Sequence, residues 1–234
     1  MTASDGATTN VLAAVIPADR PLSPELIGTV TAIALRAEDA PQDRPHSVVL
    51  YVSGPQAGQG FSWPGPVDIG TVGKWEGALR RLEQVPAPIV AVVDGDAYGP
   101  AAELLLVSDY RILRSGSIFG FATSEGGAWP GMALHRLVAQ HGAGPARTLA
   151  VQRRSLSAAQ ALEQGLVDAA IDDDAQAETQ AVQAGLALFD GVAGTEIAIR
   201  RRLILDATAT RFEDALGAHL AASDRALRRL GSTL

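Results

Sequence analysis

Residues 88–125 read PIVAVVDGDAYGPAAELLLVSDYRILRSGSIFGFATSE. An apolar run from Pro88 to Val93 ends at Asp94-Gly95, a tight turn passes through Tyr98-Gly99, and an Ala/Leu-rich stretch follows. That order predicts a buried strand, a sharp loop and a helix whose first turn points back into the loop. Pro100 suits the first helical position, where a missing N–H costs the helix nothing. The amides of that turn, Ala101 and Ala102 among them, have no partner inside the helix and sit at the positive end of its dipole. Such a place can hold negative charge on a small ligand. Glu103, one turn in, adds a carboxylate able to move protons beside it. The plain alternative is a common strand–turn–helix joint, with Glu103 a solvated first-turn residue that complements the dipole.

Outward from this stretch, strands are expected at Val11–Ile16, Val48–Val52, Ile89–Val93, Tyr110–Leu113, Ile118–Phe121 and Val167–Ile171. Helices are expected between them at Pro24–Ala37, Ile69–Glu83, Ala101–Val107, Met132–Gln140, Pro145–Gln152 and Ala158–Gln164. Alternation of this kind argues for a layered α/β fold. After Asp172 only helices are expected, at Asp174–Leu188, Thr195–Asp206 and Phe212–Leu230. The division is therefore an α/β core over residues 1–172 and a helical region over 173–234. Ser53–Gly60 and Trp63-Pro-Gly-Pro66 form a loop rich in turn formers. A long loop at a strand's C-terminal end is where ligands enter an α/β sheet.

Composition narrows the function. Hydrophobic residues make up 47% of the 234 and aromatics 5%, enough for a large and mainly aliphatic core. A net charge of −7 and a pI near 5.1 argue against nucleic-acid binding. The absence of cysteine excludes disulfides, thiolate metal sites and cysteine nucleophiles. His46, His141 and His219 share no metal-like spacing, so no metal is expected. No stretch is long enough to span a membrane, and Met1-Thr-Ala-Ser-Asp lacks the start of a signal peptide, so a cytoplasmic protein is expected. Lys74 is the one lysine among 19 basic residues. An Ala- and Arg-rich chain of this kind fits a GC-rich genome.

Four segments in order resemble the crotonase (enoyl-CoA hydratase/isomerase) superfamily: VLAAVIPADRPLSPEL, FSWPGPVDIG, PIVAVVDGDAYGPAAELLLVSDYRI, and WPGMALHRLVAQHGAGPARTLAVQRRSLSAAQALEQGLVDAAID. The most specific piece is Ser157-Ala-Ala-x-Ala-x-x-x-Gly-Leu-Val-Asp168. The resemblance runs from Val11 to about Asp172. It implies a crotonase spiral of ββα units with a C-terminal helical region that serves as lid or oligomer contact. It also implies a homotrimer or dimer of trimers. KWEGALRRLEQVPAPIVAVVDGD and AWPGMALHRL are similar to the hydratase-like branch of dihydroxyphenylglycine biosynthesis, which works beside a type III polyketide synthase. The implied substrate is an acyl-CoA or polyketide-CoA thioester, with coenzyme A as part of the substrate and no separate cofactor.

The resemblance also assigns roles. Family enzymes polarise a thioester carbonyl with two backbone N–H groups, each worth about 3–4 kcal/mol of transition-state stabilisation, and so stabilise an enolate. The first donor register falls on Val67. The second falls on Pro100, which has no N–H. Gly99 or Ala101 is then the expected substitute, through a slightly shifted oxyanion hole. Of the two glutamates that hydratases use, the first matches Glu103. The second register falls on Thr123, which cannot act as a base near neutral pH, and Glu125 two residues on is the candidate replacement. Asp68 is either the cap of the helix at Ile69 or a substrate contact. Trp63, Tyr98 and Trp129 either wall an acyl pocket or anchor the loops. The Arg200-Arg201-Arg202 cluster either meets coenzyme A phosphates or forms a charged helix face. His135 is read as a surface histidine. The expected activity is hydration, dehydration or isomerisation. The alternative is a catalytically degraded accessory subunit that assists a polyketide synthase.

Overall fold

The computed structural model describes residues 10–41, 46–57, 59, 61–124 and 127–231. Its core is β1 (Asn10–Pro17), α1 (Pro24–Glu38), β2 (His46–Ser53), α2 (Ile69–Glu83), β3 (Ile89–Asp94), α3 (Pro100–Leu106) and β4 (Tyr110–Arg114). Short strands follow at β5 (Ile118–Phe119), β6 (Thr123–Ser124) and β7 (Gly127–Ala128). Next come α4 (Met132–His141), α5 (Ala143–Ala146), β8 (Leu156–Ser157), α6 (Ala158–Glu163) and β9 (Ala169–Ile171). The chain closes with α7 (Ala175–Ala187), α8 (Gly194–Ala207) and α9 (Phe212–Gly231). Every expected strand is present, and every expected helix but one. The differences are local: Pro145–Gln152 is not one helix, because α5 passes into a π-helical turn at Arg147–Val151. The pairs β6–β7 and β5–β8 lie in segments too short to carry a period.

The main sheet is parallel throughout, in the order β1-β2-β3-β4-β9. The first three crossovers each step to the next strand, so α1, α2 and α3 stack on one face. Alternation along the strands divides the core between the two faces. Val48, Leu50, Ile89, Ala91 and Val93 face α1–α3, whereas Val49, Val90, Val92 and Ile112 face Val182 of α7. That is why β2 and β3 read as unbroken apolar runs, being buried on both sides. Ser23 caps α1 ahead of Pro24, and Asp68, Ser157 and Asp174 cap α2, α6 and α7.

The loops leaving β2 and β3 press backbone against backbone. The Gly54 amide donates to the Asp94 carbonyl at 2.6 Å, and a Cβ on Gly54 would lie 2.2 Å from the Asp96 carbonyl oxygen. Gly95 has φ +95 and the same lack of room against Gly54. These contacts bring the loop before α2 and the turn before α3 together. The candidate site lies where they meet.

Arg201 of α8 reaches back into the core. Its guanidinium donates to both Asp109 carboxylate oxygens and to the carbonyls of Glu83 (2.7 Å), Val85 (3.1 Å) and Ala87 (3.0 Å). Its neighbours in the arginine run stay near the surface, Arg200 on Glu196 and Arg202 on Asp206. Helix α9 rests on α8 and leaves Phe212, Leu216, Leu220 and Leu227 exposed. Among the described residues no helix is long and apolar enough to cross a membrane.

Candidate active site

Glu103 occupies the first turn of α3, below Gly99, whose φ of 56 turns the chain into the helix. A Cβ at Gly99 would meet the rings of Phe61 and Trp63 at 3.4 and 3.5 Å, so the turn fits closely under the aromatic loop. Glu103 is 3% exposed. It is not the solvated residue of the plain alternative. One carboxylate oxygen accepts from Trp63 Nε1 at 3.1 Å and the other accepts from Trp75 Nε1. The two indoles meet edge to face at 6.0 Å.

Burial pushes the Glu103 carboxyl up from its usual 4.5 to about 7. The Trp75 bond opposes this, Glu76 adds to it, and the Trp63 bond and the charge of Arg136 oppose it. Arg136 of α4 is itself buried and paired with Glu76 at 3.0 Å and Glu83 at 3.4 Å. Glu103 lines a small cavity with Trp63, Gly99, Ala102, Phe121 and Trp129. Among the described residues it is the one ionisable group there, and the free space is about 10 Å³, the room of a single water. An acid near neutrality in an apolar, water-poor cavity can give or take a proton. A larger apolar space of about 520 Å³ lies at the other end of α3 against α8, but its Arg111 and Arg201 are already spent on internal partners.

The sequence pattern of the enoyl-CoA hydratase/isomerase family matches residues 70–231. An enoyl-CoA hydratase of Amycolatopsis orientalis is 41% identical over 211 residues, spanning 90% of this chain and 93% of that one. The chain belongs to the enoyl-CoA hydratase/isomerase family. A mitochondrial enoyl-CoA hydratase domain-containing protein 2 of Mus musculus is 36% identical over 107 residues, 45% of this chain and 36% of its own. The solved enoyl-CoA hydratase of Bacillus anthracis superposes with a TM-score of 0.75 at 20% identity, over 94% of this chain and 88% of that one. The likeness to that structure shows the crotonase fold.

Against the family's roles, the expected residues separate into two groups. Trp63, Gly99, Glu103 and Trp129 converge on the cavity, while Val67, Asp68, Tyr98, Pro100, Ala101 and Thr123 do not line it. Two expected amide donors are already engaged. Val67 N–H donates to the Gly65 carbonyl at 2.9 Å, because the loop closes a tight turn there. Ala101 N–H donates to the Tyr98 carbonyl at 3.2 Å, closing the turn into α3. Among the described residues no backbone carbonyl takes the amides of Gly99 or Ala102, and both residues line the cavity. Of the two amides expected for a shifted hole, that of Gly99 is open and that of Ala101 is not; the amide of Ala102 is open as well.

The remaining candidates have structural partners. Asp68 caps α2, accepting from the Thr71 amide at 2.7 Å, and the side chain and backbone of Thr71 together hold its carboxyl below the usual range. Thr123 is tied to Tyr98: its amide donates to the tyrosine oxygen at 2.7 Å and the two hydroxyls lie 3.0 Å apart. Glu125 lies outside the described residues. His135 is exposed, while Arg136 beside it is buried with Ala133 and Leu137. Sequence reading passed over Arg136 and Trp75. The available signal was an indole on the apolar face of α2, since a buried indole N–H needs an acceptor.

Proposed function

We propose that this chain is a hydratase/dehydratase- or isomerase-type enzyme acting on an acyl-CoA or polyketide-CoA thioester through an oxyanion-stabilised enolate. The observation that carries the reading is Glu103, among the described residues the one acid of an apolar cavity at the head of α3. With a pKa of about 7, roughly half of it is carboxylate at neutral pH, ready to act as base. In dehydration Glu103 takes the α-proton, and the electron pair moves into the thioester carbonyl as the enolate forms. The enolate then re-forms the carbonyl and expels the β-hydroxyl, which leaves as water with that same proton. Glu103 ends as it began. The amides of Gly99 and Ala102 serve as oxyanion donors in this reading, and Trp63 and Trp129 bound the acyl group. The nearly filled cavity has to widen to admit that group.

Belonging to the proposal are a setting in secondary metabolism alongside a type III polyketide synthase, a cytoplasmic location and a homotrimer or dimer of trimers. The exposed apolar row of α9 supports the last, since such a row is stable when a second copy covers it. A second reading, a degraded accessory subunit, is favoured by Pro100 and by the loss of Thr123 to Tyr98. Release of water from a 3-hydroxyacyl-CoA, followed with wild type and Glu103→Gln, decides between them. Loss of about 10²–10⁴-fold in the variant is expected. Equal turnover in both proteins, or none in either, overturns the enzymatic reading.

A further inference from the structure

Glu103 is held in an unusual way. Its two oxygens accept from two indoles, Trp63 from the loop before α2 and Trp75 from within α2, and both rings are 1% exposed. An indole N–H only donates. A carboxylate satisfies both indoles at once, whereas a carboxylic acid presents an O–H that neither can accept. Protonation therefore weakens the hydroxyl oxygen as an acceptor for its indole and leaves a buried O–H that neither indole can accept, in a water-poor cavity where an unmade bond costs most. The charged groups facing Glu103 come from two elements. Glu76 of α2 works against the anion and Arg136 of α4 works for it. Arg136 is in turn balanced by Glu76 and Glu83, and Glu83 by Arg80. From the segment 119–122 and from Trp129 the cavity receives only uncharged groups. The hydrogen bonds to the anion are thus left to the two indoles.

We infer that Trp75, with Trp63 beside it, is a positioning residue for the acid–base: the paired indole donors aim the Glu103 carboxyl and favour its carboxylate form against the pull of burial. The inference rests on Glu103 being the catalytic group only where turnover is concerned; the clamp itself is a property of the folded chain. A purely structural role for Trp75 would need its ring and not its N–H.

The test is Trp75→Phe, which keeps an aromatic ring and removes the donor. Infrared difference spectroscopy reads the protonated carboxyl band of Glu103 against pH, with Glu103→Gln identifying the band. In Trp75→Phe the midpoint is expected to rise by about one to two pH units above wild type. At neutral pH the carboxylate fraction then falls by roughly 5- to 50-fold. The acid limb of kcat/KM for 3-hydroxybutyryl-CoA should move by the same amount. An unmoved midpoint in a folded Trp75→Phe overturns the inference. Should that variant not fold, Trp63→Phe decides instead, a rise supporting the clamp and no change overturning it. A raised midpoint together with wild-type turnover in Glu103→Gln keeps the clamp and removes the catalytic role of Glu103.

Discussion

Replacing Arg201 with methionine keeps the apolar stem of the side chain and deletes its guanidinium. In the folded protein that group satisfies a carboxylate and three backbone carbonyls, and the side chains of Arg201 and Asp109 are 10% and 16% exposed. Asp109 keeps only the Ile89 amide, at 2.8 Å, when the arginine goes. A buried pair broken on one side costs about 3–5 kcal/mol, because the surviving charge stays desolvated. For a chain of this size each kcal/mol corresponds to roughly 2–4 °C in Tm, so a fall of about 6–20 °C is expected. Urea unfolding followed by far-UV circular dichroism measures the same loss as a lower midpoint with little change in slope. Arg200→Met and Arg202→Met are the controls, since those side chains are 60% and 77% exposed and should cost about 0.5 kcal/mol or less. A loss below about 1 kcal/mol in Arg201→Met would refute the reasoning. It would mean that the three arginines are equivalent surface charges.

The raised carboxyl of Glu103 has a signature in stability. Its pKa is about 7 folded and near 4.5 unfolded, so between those values the folded state holds the extra proton. That contribution is complete below the unfolded value and is lost as pH rises through the folded one. Wild type should therefore lose about 3 kcal/mol relative to Glu103→Gln between about pH 4 and about pH 8, measured as paired urea titrations; parallel curves would show a normal carboxyl. Two glycine substitutions should act in opposite directions. A Cβ on Gly194 would lie 1.8 Å from the Pro86 carbonyl oxygen, so Gly194→Ala should cost about 3 kcal/mol as α8 is pushed off the core. Gly217 on α9 has open space around it, and Gly217→Ala should gain about 0.5–1 kcal/mol, read from the Tm.

The long elements were legible because their periods and punctuation agree. β2 and β3 carry unbroken apolar runs, and Asp68 caps α2, one of the two roles expected of it. The π-helical turn at Arg147–Val151 carried no signal, since Ala, Leu and Val suit an ordinary helix equally well. At the site, Glu103 was legible from its place one turn into α3. Its burial was not, because what covers α3 comes from residues 63 and 75, far away in the chain. Trp75 read as one more apolar residue on the inner face of α2 beside Ala78, Leu79 and Leu82. The engagement of the Val67 and Ala101 amides follows from how two turns close, which residue types alone leave open.

Trp63, Trp75 and Trp129 are all the tryptophans of this chain, and all three stand around one carboxyl group. The tryptophan emission of the protein is therefore a local optical probe of that cavity. Loss of an indole bond, or entry of an acyl group beside Trp129, should change colour and intensity without any attached dye. A melt followed by that light reports on the cavity, whereas one followed by helical ellipticity is weighted toward the C-terminal helices. Where the two curves part, the last helices come away on their own.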